Sequence, residues 1–94
     1  MANYFARVEL FGADSEKYEA LHEKMKSIGF LRTVTYSDGT NQALPTGSYV
    51  GSKATEITQV RDQIRGVADP FSSRNAAVFV CQMDNWAAYL YAAS

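Results

Sequence analysis

Two stretches of the chain repeat one hydrophobic pattern. Tyr18, Leu21, Met25 and Ile28 form the first stripe, and Ile57, Val60, Ile64 and Val67 form the second. Both follow the spacing i, i+3, i+7, i+10, which lines four side chains along one face of an α-helix. Between and around them the pattern changes to period two. From Tyr4 to Phe11, Tyr4, Ala6, Val8 and Leu10 point one way, and Phe5, Arg7, Glu9 and Phe11 the other. The first set is the cleaner core face; the second mixes aromatic and charged residues, as a half-exposed sheet face does.

Punctuation divides these runs. Gly12-Ala13 turns the chain, and Asp14 or Ser15 suits the cap of the first helix. Gly29 suits its left-handed end. A second strand is predicted over Phe30–Tyr36, followed by a turn at Ser37-Asp38-Gly39-Thr40. Asn41 to Pro45 is irregular or edge-like, because Pro45 removes a ladder donor. A short third strand is expected over Gly47–Gly51. Thr55 is placed as the cap of the second helix, Glu56–Ala68, which Asp69-Pro70 stops. Ala76–Met83 is the most apolar strand, with Val78, Phe79 and Val80 in sequence, and is expected to be central and buried. Asp84 would then cap a short C-terminal helix holding Trp86, Tyr89 and Leu90, with its aromatics docked on the core.

The expected fold is therefore α+β. It is a ferredoxin-like βαββαβ domain with an antiparallel four-stranded sheet, two helices on one face and a short C-terminal helix. The opposite sheet face is left open for a partner or for the terminal helix. At 94 residues, 1–94 is one domain with one modest core.

Composition narrows function more by exclusion than by assignment. Nine basic and ten acidic residues give a net charge of −1, which lacks the basic footprint of a sequence-blind nucleic-acid binder. The single cysteine, Cys81, lies in an apolar run and has no internal disulfide partner. It reads as a small buried hydrophobe. The N-terminal residues lack the pattern of a signal peptide, and no apolar run approaches the roughly 20 residues that span a bilayer. A cytoplasmic protein with no membrane partner is expected.

Candidate chemistry is sparse. His22 is the only histidine and stands on the shoulder of the first helical stripe. It is either a general acid or base near neutral pH, or a boundary residue that packs its ring and wets its nitrogen. Asp14, Glu16, Glu19 and Glu23 cluster along the first helix, but Lys17, Lys24 and Lys26 interleave with them, as on a solvated helix face. No zinc spacing, phosphate loop or nucleophile elbow is present, so no metal or cofactor is expected. Arg7 and Arg32 fall on the first two strands, and Phe5 shares the Arg7 face. Such a face either stacks bases and holds phosphates or forms a subunit interface.

The whole pattern resembles a known family. Its marks are the strand Tyr4-Phe5-Ala6-Arg7-Val8, the helix ending before Gly29-Phe30, the turn at Asp38-Gly39, Leu44-Pro45, the strand at Gly47-Ser48-Tyr49 and the tail Asp84-Asn85-Trp86-Ala87-Ala88-Tyr89-Leu90-Tyr91. In these the chain resembles the small ferredoxin-like antitoxins of bacterial type V toxin–antitoxin systems and the related uncharacterised bacterial proteins. The resemblance implies an RNA-binding antitoxin or endoribonuclease that acts on single-stranded RNA, in that family the messenger of a membrane toxin. The fold also resembles the dimeric nuclease subunit of CRISPR spacer acquisition, which implies a homodimer. Where the antitoxin carries a functional arginine on the first helix, this chain has His22. Under this reading His22 is the catalytic acid or base of a metal-independent cleavage, and Arg7, Arg32 and Phe5 bind RNA. The alternative is a non-catalytic protein-interaction module, a dimeric adaptor or an inhibitor encoded by a mobile element, with an unidentified protein partner.

Overall fold

The structure is a computed structural model and describes residues 1–93. Strand β1 (Ala2–Glu9) leads to helix α1 (Ser15–Ser27), then β2 (Thr33–Thr35), β3 (Asn41–Ala43) and β4 (Ser48–Lys53). Helix α2 (Ile57–Ala68) runs into a 3-10 turn at Asp69–Phe71, followed by β5 (Ala77–Gln82) and β6 (Tyr91–Ala92). The strands form two antiparallel three-stranded sheets, β4-β1-β5 and β2-β3-β6, in a small compact α+β fold.

The alternation of β1 sets the core. Tyr4, Ala6, Val8 and Leu10 are all buried, and they share one cluster with Leu21 and Met25 of α1, Val60, Ile64 and Ala68 of α2, and Phe30 and Tyr49. Both helices therefore pack against the even-numbered face of β1. The middle of each stripe is fully buried, whereas Tyr18, Ile28 and Val67 are half-buried and Ile57 is exposed. Asp14 caps α1 by accepting from the Lys17 amide at 3.0 Å. Gly29, at φ 90°, lets the Phe30 amide turn back to the Met25 carbonyl at 2.9 Å. Helix α2 is capped by Glu56 and not by Thr55; the Glu56 carboxylate accepts from the Gln59 amide at 3.0 Å.

Three expectations are corrected. The four strands do not close into one sheet with regular ladders. Strand β2 instead forms a hairpin with β3, and only the isolated pair Leu31–Val50 joins its approach to β4. The tight turn at Asp38-Gly39, with Gly39 at φ 88°, folds β3 straight back on β2, so the ladder bonds of β2 go to β3 and not to β4. Secondly, β5 is an edge strand, and β1 is central. Val78 and Val80 pack toward the helices, but Phe79 is 63% exposed on the other face. Thirdly, no C-terminal helix forms among the described residues. Residues 83–90 run as an irregular strap into β6, which pairs with β3 through Gln42–Ala92 and Ala43–Tyr91. Long-range pairing overrides the helical propensity of Trp86-Ala87-Ala88-Tyr89-Leu90. The strap's aromatics are not docked on the core: Trp86 is half-exposed, and Tyr89 and Tyr91 stand in solvent.

Candidate functional site

Ladder register assigns the face opposite the helices. Phe5 stands between Val50 and Cys81, and Arg7 between Ser48 and Phe79. Directly paired residues point to the same side, so these six side chains share one open sheet face. The C-terminal strap crosses part of it. The Met83 amide donates to the Asn3 carbonyl at 2.7 Å, and the Tyr36 hydroxyl donates to the Ala88 carbonyl at 3.3 Å. The Tyr36 and Trp86 rings lie 6.5 Å apart between centroids. Between strap and sheet lies a groove of about 490 Å³, lined by Phe5, Arg7, Ser48, Val50, Cys81, Trp86 and Leu90 among others. Its wall is mainly apolar, but it also carries the Arg7 guanidinium, the Ser48 and Tyr89 hydroxyls, the Gln82 and Asn85 amides and the Asp84 carboxylate. Cys81 is half-buried in this wall and is a free thiol, not a core residue.

His22 lies on the other side of the sheet. The residue is only 7% exposed, and its ring packs 5.7 Å from Tyr49 and 6.5 Å from Tyr18, centroid to centroid. Nδ1 lies 2.6 Å from the Tyr49 hydroxyl. Burial pushes the Tyr49 phenol up to about 12, so it keeps its proton. The phenol is fully buried and has no other acceptor among the described residues. It therefore donates to Nδ1, which assigns the neutral ring its proton at Nε2. No buried side-chain nitrogen or oxygen among the described residues lacks a partner, and Nε2 has none, so Nε2–H meets solvent. Burial, and then the Arg32 charge, lower the pKa of His22 from 6.5, against the opposing pull of Glu19 and Glu23. The result is a neutral imidazole that offers one N–H at the surface.

The four candidate residues thus fall into two groups. Phe5 and Arg7 share the open face, whereas His22 packs beside Tyr49, where the Arg32 charge is felt by both. The sequence pattern missed Tyr49 as the partner of His22, because the two lie 27 residues apart with no local signal linking them. It also missed Trp86 as a groove wall. Arg61 pairs with Asp62 at 2.8 Å and Arg65 with Asp69 at 3.7 Å on the solvated side of α2. Arg74 lies over the Phe11 ring at 4.0 Å. Among the described residues, no group of three or more His, Cys, Asp or Glu side chains comes together as a metal site. No helix among them is long and apolar enough to cross a membrane. No family model and no curated protein matches the chain.

Proposed function

We propose that this chain binds single-stranded RNA on its open sheet face, as an antitoxin-like protein of the reducing cytoplasm. The observation that carries the reading is the pairing of Phe5 and Arg7 beside a groove large enough for a nucleobase and walled by Trp86. A base stacks on an aromatic face whatever its identity, and a guanidinium holds the adjoining phosphate. The strand order β5-β1-β4, extended toward β2 by the Leu31–Val50 pair, supports reading the domain as ferredoxin-like with one loosened edge. That reading supports the resemblance to type V antitoxins.

In the endoribonuclease form of the proposal, RNA continues around the β4–β2 edge to Arg32 and His22. The outward Nε2–H suits a hydrogen bond to a phosphate oxygen. A proton-accepting role at Nε2 requires the Tyr49 hydroxyl to release Nδ1. Cleavage by the neighbouring 2′-hydroxyl would leave a cyclic phosphate and need no metal.

Fluorescence anisotropy with a mixed pool of short single-stranded RNA tests binding. Phe5→Ala should weaken it about tenfold. Arg7→Gln should also weaken it and flatten the salt dependence, since each phosphate contact on a single strand contributes a slope of about −0.7. Wild-type protein that fails to retain RNA at low salt would remove the proposal. Cleavage in the same pool that survives chelator and disappears in His22→Gln would add the catalytic role.

A second reading, a non-catalytic interaction module, is favoured by the net charge of −1 and the exposed Phe79. It expects no RNA retention and salt-insensitive capture of a protein.

A further inference from the structure

We infer that the groove beneath the C-terminal strap binds a small amphipathic monocarboxylate, with its carboxylate on Arg7 and Ser48 and its apolar body between Phe5 and Trp86. The inference does not rest on RNA binding. The head of the site consists of two groups that the fold leaves without partners. Arg7 of β1 stands directly beside Ser48 of β4 on the open face. Its guanidinium makes no ion pair among the described residues, although Glu9 stands two positions along the same strand. Ser48 is only 3% exposed, and its hydroxyl has no hydrogen-bond partner among the described residues. No fully enclosed side-chain oxygen there lacks a partner, so this oxygen opens on the groove that Ser48 lines. A donor that is buried and unanswered within its own chain suits an acceptor supplied by a ligand.

Charge and shape choose the occupant. At the Arg7 end, one guanidinium and one hydroxyl match a single negative charge. The second charge of a phosphate monoester would stay uncompensated against an apolar wall. A guanidinium also meets both oxygens of a carboxylate with parallel N–H donors. Beyond that end the wall includes Phe5, Val50, Leu90 and Trp86, which suit a hydrocarbon body. A volume of about 490 Å³ is that of a small-ligand site. Asp84 marks the opposite end. The Met83 amide bonds to the Asn3 carbonyl, so Asp84 follows at the level of Asn3, four residues from Arg7 along β1. Four strand residues span about 13 Å. A second carboxylate at that end meets a like charge, so the site admits one acid group and fixes its direction. An acid seated here takes the guanidinium that the RNA reading gives to a phosphate, so the two ligands exclude one another.

Trp86 is the chain's only tryptophan, so its fluorescence reads occupancy directly. Octanoate, octanamide and suberate form a matched series of probes with one, no and two carboxylates. Octanoate should shift the Trp86 emission to the blue saturably, with half-saturation below about 1 mM. Octanamide and suberate should each bind at least tenfold more weakly. Arg7→Gln should weaken octanoate about tenfold and leave octanamide unchanged, with an unaltered circular dichroism spectrum. Ser48→Ala should weaken octanoate severalfold. Asp84→Asn should relieve suberate and leave octanoate unchanged. Octanoate that gives no saturable shift at millimolar concentration overturns the inference, whether or not the protein retains RNA. Octanamide that binds as tightly as octanoate, or octanoate binding that Arg7→Gln leaves intact, overturns it equally. A suberate penalty that survives in Asp84→Asn overturns the direction assigned to the ligand.

Discussion

His22 is the chain's only histidine, so its titration can be followed by NMR as a single imidazole signal. Burial is the first cause of its lowered pKa, and the Arg32 charge is the second. Arg32→Gln should move the titration midpoint up toward 6.5, the unperturbed value. Stability has a matching sign. The unfolded chain takes up the proton more readily than the folded one, so acid favours unfolding. The contribution of His22 is complete above about pH 6.5 and is lost as pH falls from there through the folded-state value. Urea midpoints measured between pH 7.5 and pH 5, a span chosen to bracket that window, should drop further for the wild type than for His22→Gln. An equal drop in both would mean that the ring carries no such penalty. Tyr49→Phe should cost about 1 to 2 kcal/mol, since it leaves Nδ1 without a donor in a buried site. None of this coupling was legible from the helix-1 pattern. That pattern placed His22 at the boundary of the stripe but held no information on which strand residue faces it.

At the scale of elements, legibility follows how many neighbours an element needs. The alternation of β1 named Tyr4, Ala6, Val8 and Leu10 as core residues, and all four are buried. The two stripes located both helices because a helix satisfies its backbone within itself. The run Val78-Phe79-Val80 misled because apolar residues on both faces describe a central strand and an unprotected edge equally well. The tail misled for a related reason, since its partner, β3, was itself only an edge-like segment in the sequence. Two glycines separate packing from propensity. A Cβ on Gly51 would meet the Gly29 carbonyl oxygen at 2.5 Å and the Phe30 ring at 3.0 Å. Gly51→Ala should therefore destabilise the fold by about 3 kcal/mol, because the Gly29 backbone and the fully buried Phe30 ring must both give way. A Cβ on Gly66, inside α2, meets nothing within 4 Å. Gly66→Ala should stabilise by about 0.5 to 1 kcal/mol. Denaturant midpoints of the two variants should shift in opposite directions. A tolerated Gly51→Ala would show that β4 and the end of α1 do not approach as closely as this geometry places them.

For the whole molecule, the division of labour between the two sheets decides what the strap does. The main sheet and both helices share the buried cluster, to which no described residue beyond Ala76 on the C-terminal side contributes a fully buried side chain. The strap and β6 instead cover part of the open face and stitch it to the β2–β3 hairpin. Removing residues 84–94 should therefore leave the core folded, with helical circular dichroism retained, while uncovering Phe5, Val50 and Cys81. Because Cys81 is the only thiol, its reaction with an aromatic disulfide reagent reports the uncovering directly. The rate should rise at least severalfold on truncation, and Trp86→Ala in the full chain should give part of that rise. Saturating RNA should slow the reaction in the full chain if a base occupies the groove, and it should not do so in Phe5→Ala. A truncated chain that keeps its fold but shows the wild-type thiol rate would mean that the strap does not cover this wall. The groove would then lose its aromatic side, and with it the seat for a base between Phe5 and Trp86.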